Sequence, residues 1–331
     1  MGTAAEVGVA VIRAGRVLLV VWLICVMPDL AAAQARSAVI VFGATGGDTY
    51  AATYAKWEDA LVGSLRDRLG FAPDRVTVLS ERASDTSLRS TAGNVRRVLG
   101  DLARASGPDD VLLVMLIGHG TIDIGAAKFN LVGPDLDAGQ WAALIARLPG
   151  RLVFINATGG SFPFLEQVSG KNRIVVTATD SAAQRFDTVF PELLVKALED
   201  PATDQDRNGR LSVWEIFTQT SAAVRQYYEQ RGQLTTERAL LDDDGDRTGR
   251  EAGAPGQDGA LARATHLDAD PVSASADPEL AALIARQRVL EEQAEALKLR
   301  KASMPPAQWE SQFEKLMIEL ARVSRAIRAR S

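Results

Sequence analysis

Residues 111–117, VLLVMLI, are an unbroken run of seven apolar side chains that ends at Gly118-His119-Gly120. A strand with one wet face alternates apolar and polar residues, whereas a strand covered on both faces reads as a continuous apolar run. The run therefore calls for a sheet with cover on two sides. It predicts a parallel α/β sheet and places His119 at the carboxyl end of a central strand, where open α/β sheets hold their ligands and chemistry. A histidine hydrogen-bonded to a loop at a strand end is the plainer alternative.

The flanking sequence repeats the strand–helix alternation. Residues 37–42 (SAVIVF) read as a first strand that breaks into a glycine-rich turn, Gly43 to Gly47. A helix follows over residues 54–69, with Trp57, Leu61, Leu65 and Leu69 spaced four apart on one face. Residues 75–79 form a second strand, and Thr91 opens a helix through Ala105. After the central strand, Asp137 caps a helix to about Leu148, and residues 151–155 and 173–178 are two further strands. This alternation is the signature of a mainly parallel sheet between two helical layers, over residues 37–200.

Residues 1–33 read as a secretory signal: Arg13 and Arg16 precede the apolar core VLLVVWLICVM, and Ala31-Ala32-Ala33 offers a cleavage site. The core is too short for a membrane span, which needs about 20 residues, so no stable span is expected after cleavage. An exported, periplasmic or secreted protein follows, with a retained anchor as the lesser alternative. Cleavage removes Cys25, the one cysteine of 331 residues, so the mature chain has neither disulfides nor a thiol nucleophile. A formal net charge of −5 argues against a nucleic-acid footprint.

His119-Gly120 after one apolar strand and a small-residue turn, Asn156-Ala157-Thr158-Gly159-Gly160-Ser161, after the next resemble the caspase/legumain clan of cysteine peptidases. The legumain branch is the nearest likeness, because Gly43 to Tyr50 is similar to its first turn and Val175 to Asp180 to its following strand. The resemblance implies a caspase-like three-layer sandwich with His119 as the base. Thr158 then stands where the clan carries its nucleophilic cysteine, and Thr45 where legumains carry an asparagine that orients the histidine. Ala51 and Ala52 replace an Arg-His pair near the substrate pocket. A hydroxyl stays protonated near neutrality, so Thr158, or the neighbouring Ser161, would need a placed base and an oxyanion hole. Asn156, Gly120, Gly159 and Gly160 are the candidate donors. The expectation is a peptidase fold that has lost its chemistry, with Thr158- or Ser161-dependent hydrolysis as the alternative.

Residues 204–215, DQDRNGRLSVWE, resemble an EF-hand loop. Oxygen ligands fall at Asp204, Asp206, Asn208, Ser212 and Glu215, Arg210 would ligate through its carbonyl, and Gly209 makes the sharp turn. Structural calcium is therefore expected, on an EF-hand-like helix-loop-helix over residues 201–241 packed on the α/β domain. A second acidic run, Asp242 to Asp246, has Arg247 at the turn position and no closing glutamate, so it reads as a solvated turn. Residues 242–276 lack hydrophobic periodicity and read as a flexible linker that gives His266 no role. Residues 277–331 read as a helical hairpin broken at Met304-Pro305-Pro306.

Two further readings remain. Gly43-Ala44-Thr45-Gly46 is similar to a dinucleotide phosphate turn, although Thr49 stands in place of the third glycine. The charged hairpin could instead serve an interaction protein, with an unidentified protein or peptide ligand. A homodimer through a sheet edge is a further possibility.

Overall fold

The computed structural model describes residues 35–269 and 277–330, apart from 86, 124, 125 and 185. The predicted signal segment and Cys25 lie outside the described residues. No helix among the described residues is long and apolar enough to cross a membrane.

The fold is mixed α/β, built on a seven-stranded sheet. In chain order its strands are β1 (Arg36–Phe42), β2 (Val76–Ser80), β3 (Ser87–Arg89), β4 (Val111–Ile117), β8 (Arg151–Asn156), β9 (Arg173–Thr177) and β10 (Leu240–Asp242). Their spatial order is β10-β9-β8-β4-β1-β2-β3, and only β10 runs antiparallel to its neighbour. β4 is central, paired with β1 on one side and β8 on the other, and all seven of its residues are buried. Its side chains alternate between two cores: Leu113, Met115 and Ile117 face one, and Leu112, Val114 and Leu116 face the other.

Helices α1 (Asp48–Gly63), α5 (Phe190–Glu199) and α6 (Val213–Glu229) cover the first face through Leu61, Leu194, Leu198, Ile216 and Phe217. Helices α2 (Ala92–Ala105), α3 (Ala138–Ile145) and α4 (Phe162–Val168) cover the second through Val95, Leu99, Trp141, Ile145 and Phe164. The expected sandwich is thus present, and each large buried apolar side chain in it contributes roughly 1.5–3 kcal/mol. The expected caps hold: Asn94 N donates to Thr91 Oγ1, and Asp137 forms a capping box with Gln140. Helix α1 begins six residues before the predicted Tyr54 and passes into a π-helical turn at Ser64–Arg68. Between β4 and α3 lies a small antiparallel sheet of β5 (Gly120–Asp123), β6 (Ala126–Phe129) and β7 (Leu136–Asp137).

The predicted flexible linker is corrected. Residues 242–269 are packed, with Asp242, Asp243, Asp258, Ala262, Thr265 and Leu267 all buried. β10 completes the main sheet from outside the predicted 37–200 span, and Leu241 and Arg250 exchange backbone hydrogen bonds of 2.9 and 2.8 Å. Helix α7 (Ala260–Ala264) leads into residues 265–267, where Val213 N donates to Thr265 O and Leu267 N to Leu211 O, both at 2.9 Å. His266 therefore has a place after all, in a β-bridge to Ser212. The physical reason is that buried aspartates here accept backbone N–H groups, so a polar composition conceals a folded segment.

The tail forms the expected hairpin of α8 (Pro278–Leu299) and α9 (Pro306–Arg328). Trp309 Nε1 donates to Leu297 O at 2.8 Å across the turn, and Arg286 pairs with Glu319. At the open end Arg330 lies 3.5 Å from Asp277, which fixes the antiparallel sense.

Candidate functional site

β4 delivers His119 to the carboxyl edge of the sheet, one glycine beyond Ile117. The ring is partly exposed and both nitrogens are engaged: Nδ1 lies 2.8 Å from Asp187 Oδ1, and Nε2 lies 3.2 Å from the Thr45 carbonyl. Both partners accept hydrogen bonds, and a neutral imidazole can donate to only one of them. Tyr50 packs edge-on against the ring at 4.5 Å between centroids, and its hydroxyl donates to Asp187 Oδ2. The Asp187 carboxylate in turn holds the Tyr50 hydroxyl proton and pushes that group upward from its ordinary value of 10.0.

Asp187 is the residue that sequence reasoning missed. It lies 68 positions from His119 in a loop without periodicity, so no local signal marks it. Thr45 acts differently from the expectation. Its carbonyl faces His119, while its backbone N–H and hydroxyl both donate to Glu81 Oε2. Those two donors lower the Glu81 carboxyl below its ordinary value of 4.5.

Thr158 follows β8 and is 1% exposed. Its hydroxyl donates to Asn156 Oδ1 at 2.9 Å, and its backbone N–H donates to the same oxygen at 3.1 Å. Among the described residues no hydrogen bond joins it to His119. Gly120 packs directly on it: a Cβ there would stand 2.7 Å from Thr158 Oγ1 and 3.1 Å from Gly160 N. The structure thus gathers Gly120, Thr158 and Gly160 but leaves the His–Thr pair unmade. Asn156 Nδ2 is buried without a hydrogen-bond partner, and the Gly159 carbonyl accepts from Thr179 Oγ1 at 3.0 Å.

Two of the expected sites look different in the structure. Ser161 is fully buried, and its hydroxyl is shared with Thr179 Oγ1 at 3.0 Å, so no substrate reaches it. In the turn compared with a dinucleotide site, three backbone N–H groups are already donating and are not available to a phosphate. Gly43 N donates to Ile117 O, Ala44 N to Asn130 O and Thr45 N to Glu81. A Cβ at Gly43 would also stand 2.4 Å from Asn130 O, so that glycine serves packing.

The 204–215 loop joins a 3₁₀ turn (Pro201–Thr203) to α6. Oxygens of Asp204, Asp206 and Glu215 lie within 4.8 Å of one another, a carboxylate trio that suits a hard cation. Gly209 turns with φ +78°. Asn208 lies against the trio, donating from Nδ2 to Asp206 Oδ2 at 3.0 Å. Ser212 and Glu215 form a capping box on α6, and the Arg210 side chain pairs with Asp268 at 3.1 Å. Burial, with Glu215 and Asp204 nearby, raises the Asp206 carboxyl above its ordinary value.

No family model matches the chain. A stretch of 57 residues, 17% of the chain, is 40% identical to Metacaspase-4 of Arabidopsis thaliana and spans 13% of that protein. Three solved structures are similar at low identity. A protein from Geobacter sulfurreducens gives 14% identity and a TM-score of 0.38, covering 63% of this chain and 92% of that one. The Drosophila initiator caspase Dronc gives 15% and 0.43, covering 69% and 90%. A secreted C11 cysteine protease from Bacteroides thetaiotaomicron, in complex with an irreversible peptide inhibitor, gives 7% and 0.39, covering 64% and 67%.

Proposed function

We propose that the chain is an exported homologue of the caspase/legumain clan that has lost peptidase chemistry and acts by binding a protein or peptide. The stretch shared with Metacaspase-4 supports the clan. The observation that carries the loss is the state of Thr158. Where the clan needs a thiolate facing a base, this chain has a buried hydroxyl committed to Asn156, and His119 is committed to Asp187 and the Thr45 carbonyl. A hydroxyl without a base in reach is no nucleophile at neutral pH.

Calcium at residues 204–215 belongs to the same reading. Asp204, Asp206 and Glu215 would hold the ion with carboxylate oxygens, and Arg210 with its carbonyl. Bound calcium supplies positive charge that ties the loop together. The chain's own part is the Ser212–Glu215 box, which fixes the start of α6 and aims the Glu215 carboxylate back at Gln205 N, 2.9 Å away.

The test is a peptidase and esterase screen of mature protein in calcium, beside Thr158→Ala and His119→Ala. No turnover in any of the three is expected. Activity in the wild type that both substitutions abolish would replace this reading with a Thr158 hydrolase.

A further inference from the structure

We propose that Asp242, Asp244 and Asp246 form a second calcium site, independent of the 204–215 loop. Asp242 ends β10, the edge strand of the main sheet, Asp244 and Asp246 follow it at alternate positions, and an oxygen from each lies within 4.8 Å of the other two. Carboxylates cluster on many surfaces without a cation, so proximity alone decides nothing. The deciding residue is Asp242. It is fully buried; its Oδ1 accepts from Gly245 N at 2.8 Å, while its Oδ2 is buried with no hydrogen-bond partner. The Ser169 hydroxyl, itself buried without a partner, and the Arg247 backbone N–H both approach this carboxyl, but neither completes a hydrogen bond to Oδ2. A buried carboxyl oxygen left without a partner is an arrangement that a counter-charge or a metal completes. Among the described residues no lysine or arginine forms an ion pair with Asp242, Asp244 or Asp246. A bound cation would complete the set.

Asp244 and Asp246 each accept one backbone N–H on Oδ1, from Asp246 N at 2.9 Å and Thr248 N at 2.6 Å, as Asp242 does from Gly245 N, while the neighbouring acids are engaged elsewhere. Asp243 spends both oxygens on the backbone, accepting from Gly259 N and Ala262 N at 2.7 Å each, and so anchors α7. Asp258 Oδ1 accepts from Asp243 N at 3.0 Å, which ties the loop back to the segment before α7. On the other side Gly245, at φ +82°, sits so close to Gly170 that a Cβ would stand 3.0 Å from the Gly170 carbonyl carbon. The loop is therefore seated on packed structure at both ends. An oxygen-only donor set of carboxylates selects a hard divalent cation over thiophilic metals, and a surface loop with two exposed ligands fits calcium's tolerant geometry. The missing glutamate and the Arg247 turn, which argue against an EF-hand, do not bear on this smaller site.

Calorimetric titration of the chelator-stripped full chain with calcium chloride, with equilibrium dialysis for stoichiometry, tests the site. Asp244 and Asp246 are both exposed, so the double variant Asp244→Asn/Asp246→Asn leaves the packed core untouched. Wild type is expected to bind two calcium ions. The double variant should bind one, and Asp204→Asn/Glu215→Gln should lose the other. Asp244→Asn alone should weaken the second site at least tenfold. If calcium binds only once, and that ion is lost with Asp244 and Asp246 but kept with Asp204 and Glu215 altered, this site stands and the 204–215 site falls. A double variant with unchanged stoichiometry and affinity within twofold of wild type would overturn the proposal.

Discussion

Glu215→Gln and Asp206→Asn separate two duties that the 204–215 loop combines. Glu215 is only 6% exposed and satisfies the backbone even without an ion. Its Oε2 accepts from Ser212 N at 2.9 Å and Ser212 Oγ at 2.7 Å, and its Oε1 accepts from Gln205 N at 2.9 Å. Glutamine replaces one of these oxygens with an NH₂ group, so at least one backbone donor faces another donor. Leaving such a group unsatisfied costs about 1–3 kcal/mol. A loss of about 2 kcal/mol in calcium-free stability is expected, or roughly 4–8 °C in Tm at about 2–4 °C per kcal/mol. Asp206 is exposed, and its carboxylate is crowded by Asp204 and Glu215. Neutral asparagine relieves that repulsion, so calcium-free stability should stay within about 0.5 kcal/mol of wild type.

Calcium then divides the variants. At a hundredfold excess over Kd a single site stabilises by about 2.7 kcal/mol. Both substitutions should abolish this increment, read by thermal or urea unfolding with and without calcium. The 242–246 site adds the same increment to every protein in the series and cancels in the comparison. If both variants keep the full calcium increment, the 204–215 loop is no calcium site. If Glu215→Gln changes calcium-free stability by less than about 0.5 kcal/mol, the capping role is refuted instead.

Two other perturbations reach the rest of the fold. Thr158→Val keeps the shape but removes the hydroxyl that donates to Asn156 Oδ1; a loss of about 1 kcal/mol in urea unfolding, with no change in turnover, is expected. Glu237 is buried at the start of α5, where its carboxylate accepts from Val189 N, Phe190 N and the Tyr228 hydroxyl. Burial nevertheless raises its carboxyl above the ordinary 4.5. A raised folded pKa means that its contribution is complete below pH 4.5 and is lost as pH rises through the folded value. Wild-type stability relative to Glu237→Gln should therefore fall across that window, and a difference independent of pH would refute the assignment.

The parts of the molecule legible in the sequence are those governed by local rules. Residues 111–117 announce a doubly covered strand because each side chain has to meet apolar cover, and Thr91 and Asp137 announce helix starts because a cap is a contact over three residues. What stayed hidden depends on distant partners. β10 has three residues and earns its place only by pairing with β9. Residues 242–269 look soluble in composition because the aspartates that fold them are buried on backbone N–H groups. Asp187 meets His119 only through the completed sheet and the loop before α5. His266 has only polar neighbours in the sequence, and it lies in a bridge that exists only because residues 265–267 return to α6.

The magnitudes at the sheet edge separate the way His119 is held from the way Thr158 is held. His119 is held lightly. Asp187 is 52% exposed in its side chain, so water competes for its contact with Nδ1, and a contact of that exposure contributes about 0–1 kcal/mol. Thr158 is held firmly. It is 1% exposed, its hydroxyl and N–H converge on one buried oxygen, and Gly120 leaves no room for the chain to back away. Turning the hydroxyl toward His119 would strand Asn156 Oδ1 with one donor and leave its already unpartnered Nδ2 as it is. The loop before α5 locks this state from the side, since Thr188 Oγ1 donates to Ala157 O at 2.7 Å while Val189 and Phe190 are tied to Glu237. Freeing His119 is therefore not enough to make Thr158 a nucleophile, because the obstacle lies at the carboxyl end of β8. His119 is a partly exposed polar feature of the sheet edge, whereas Thr158 is part of the core.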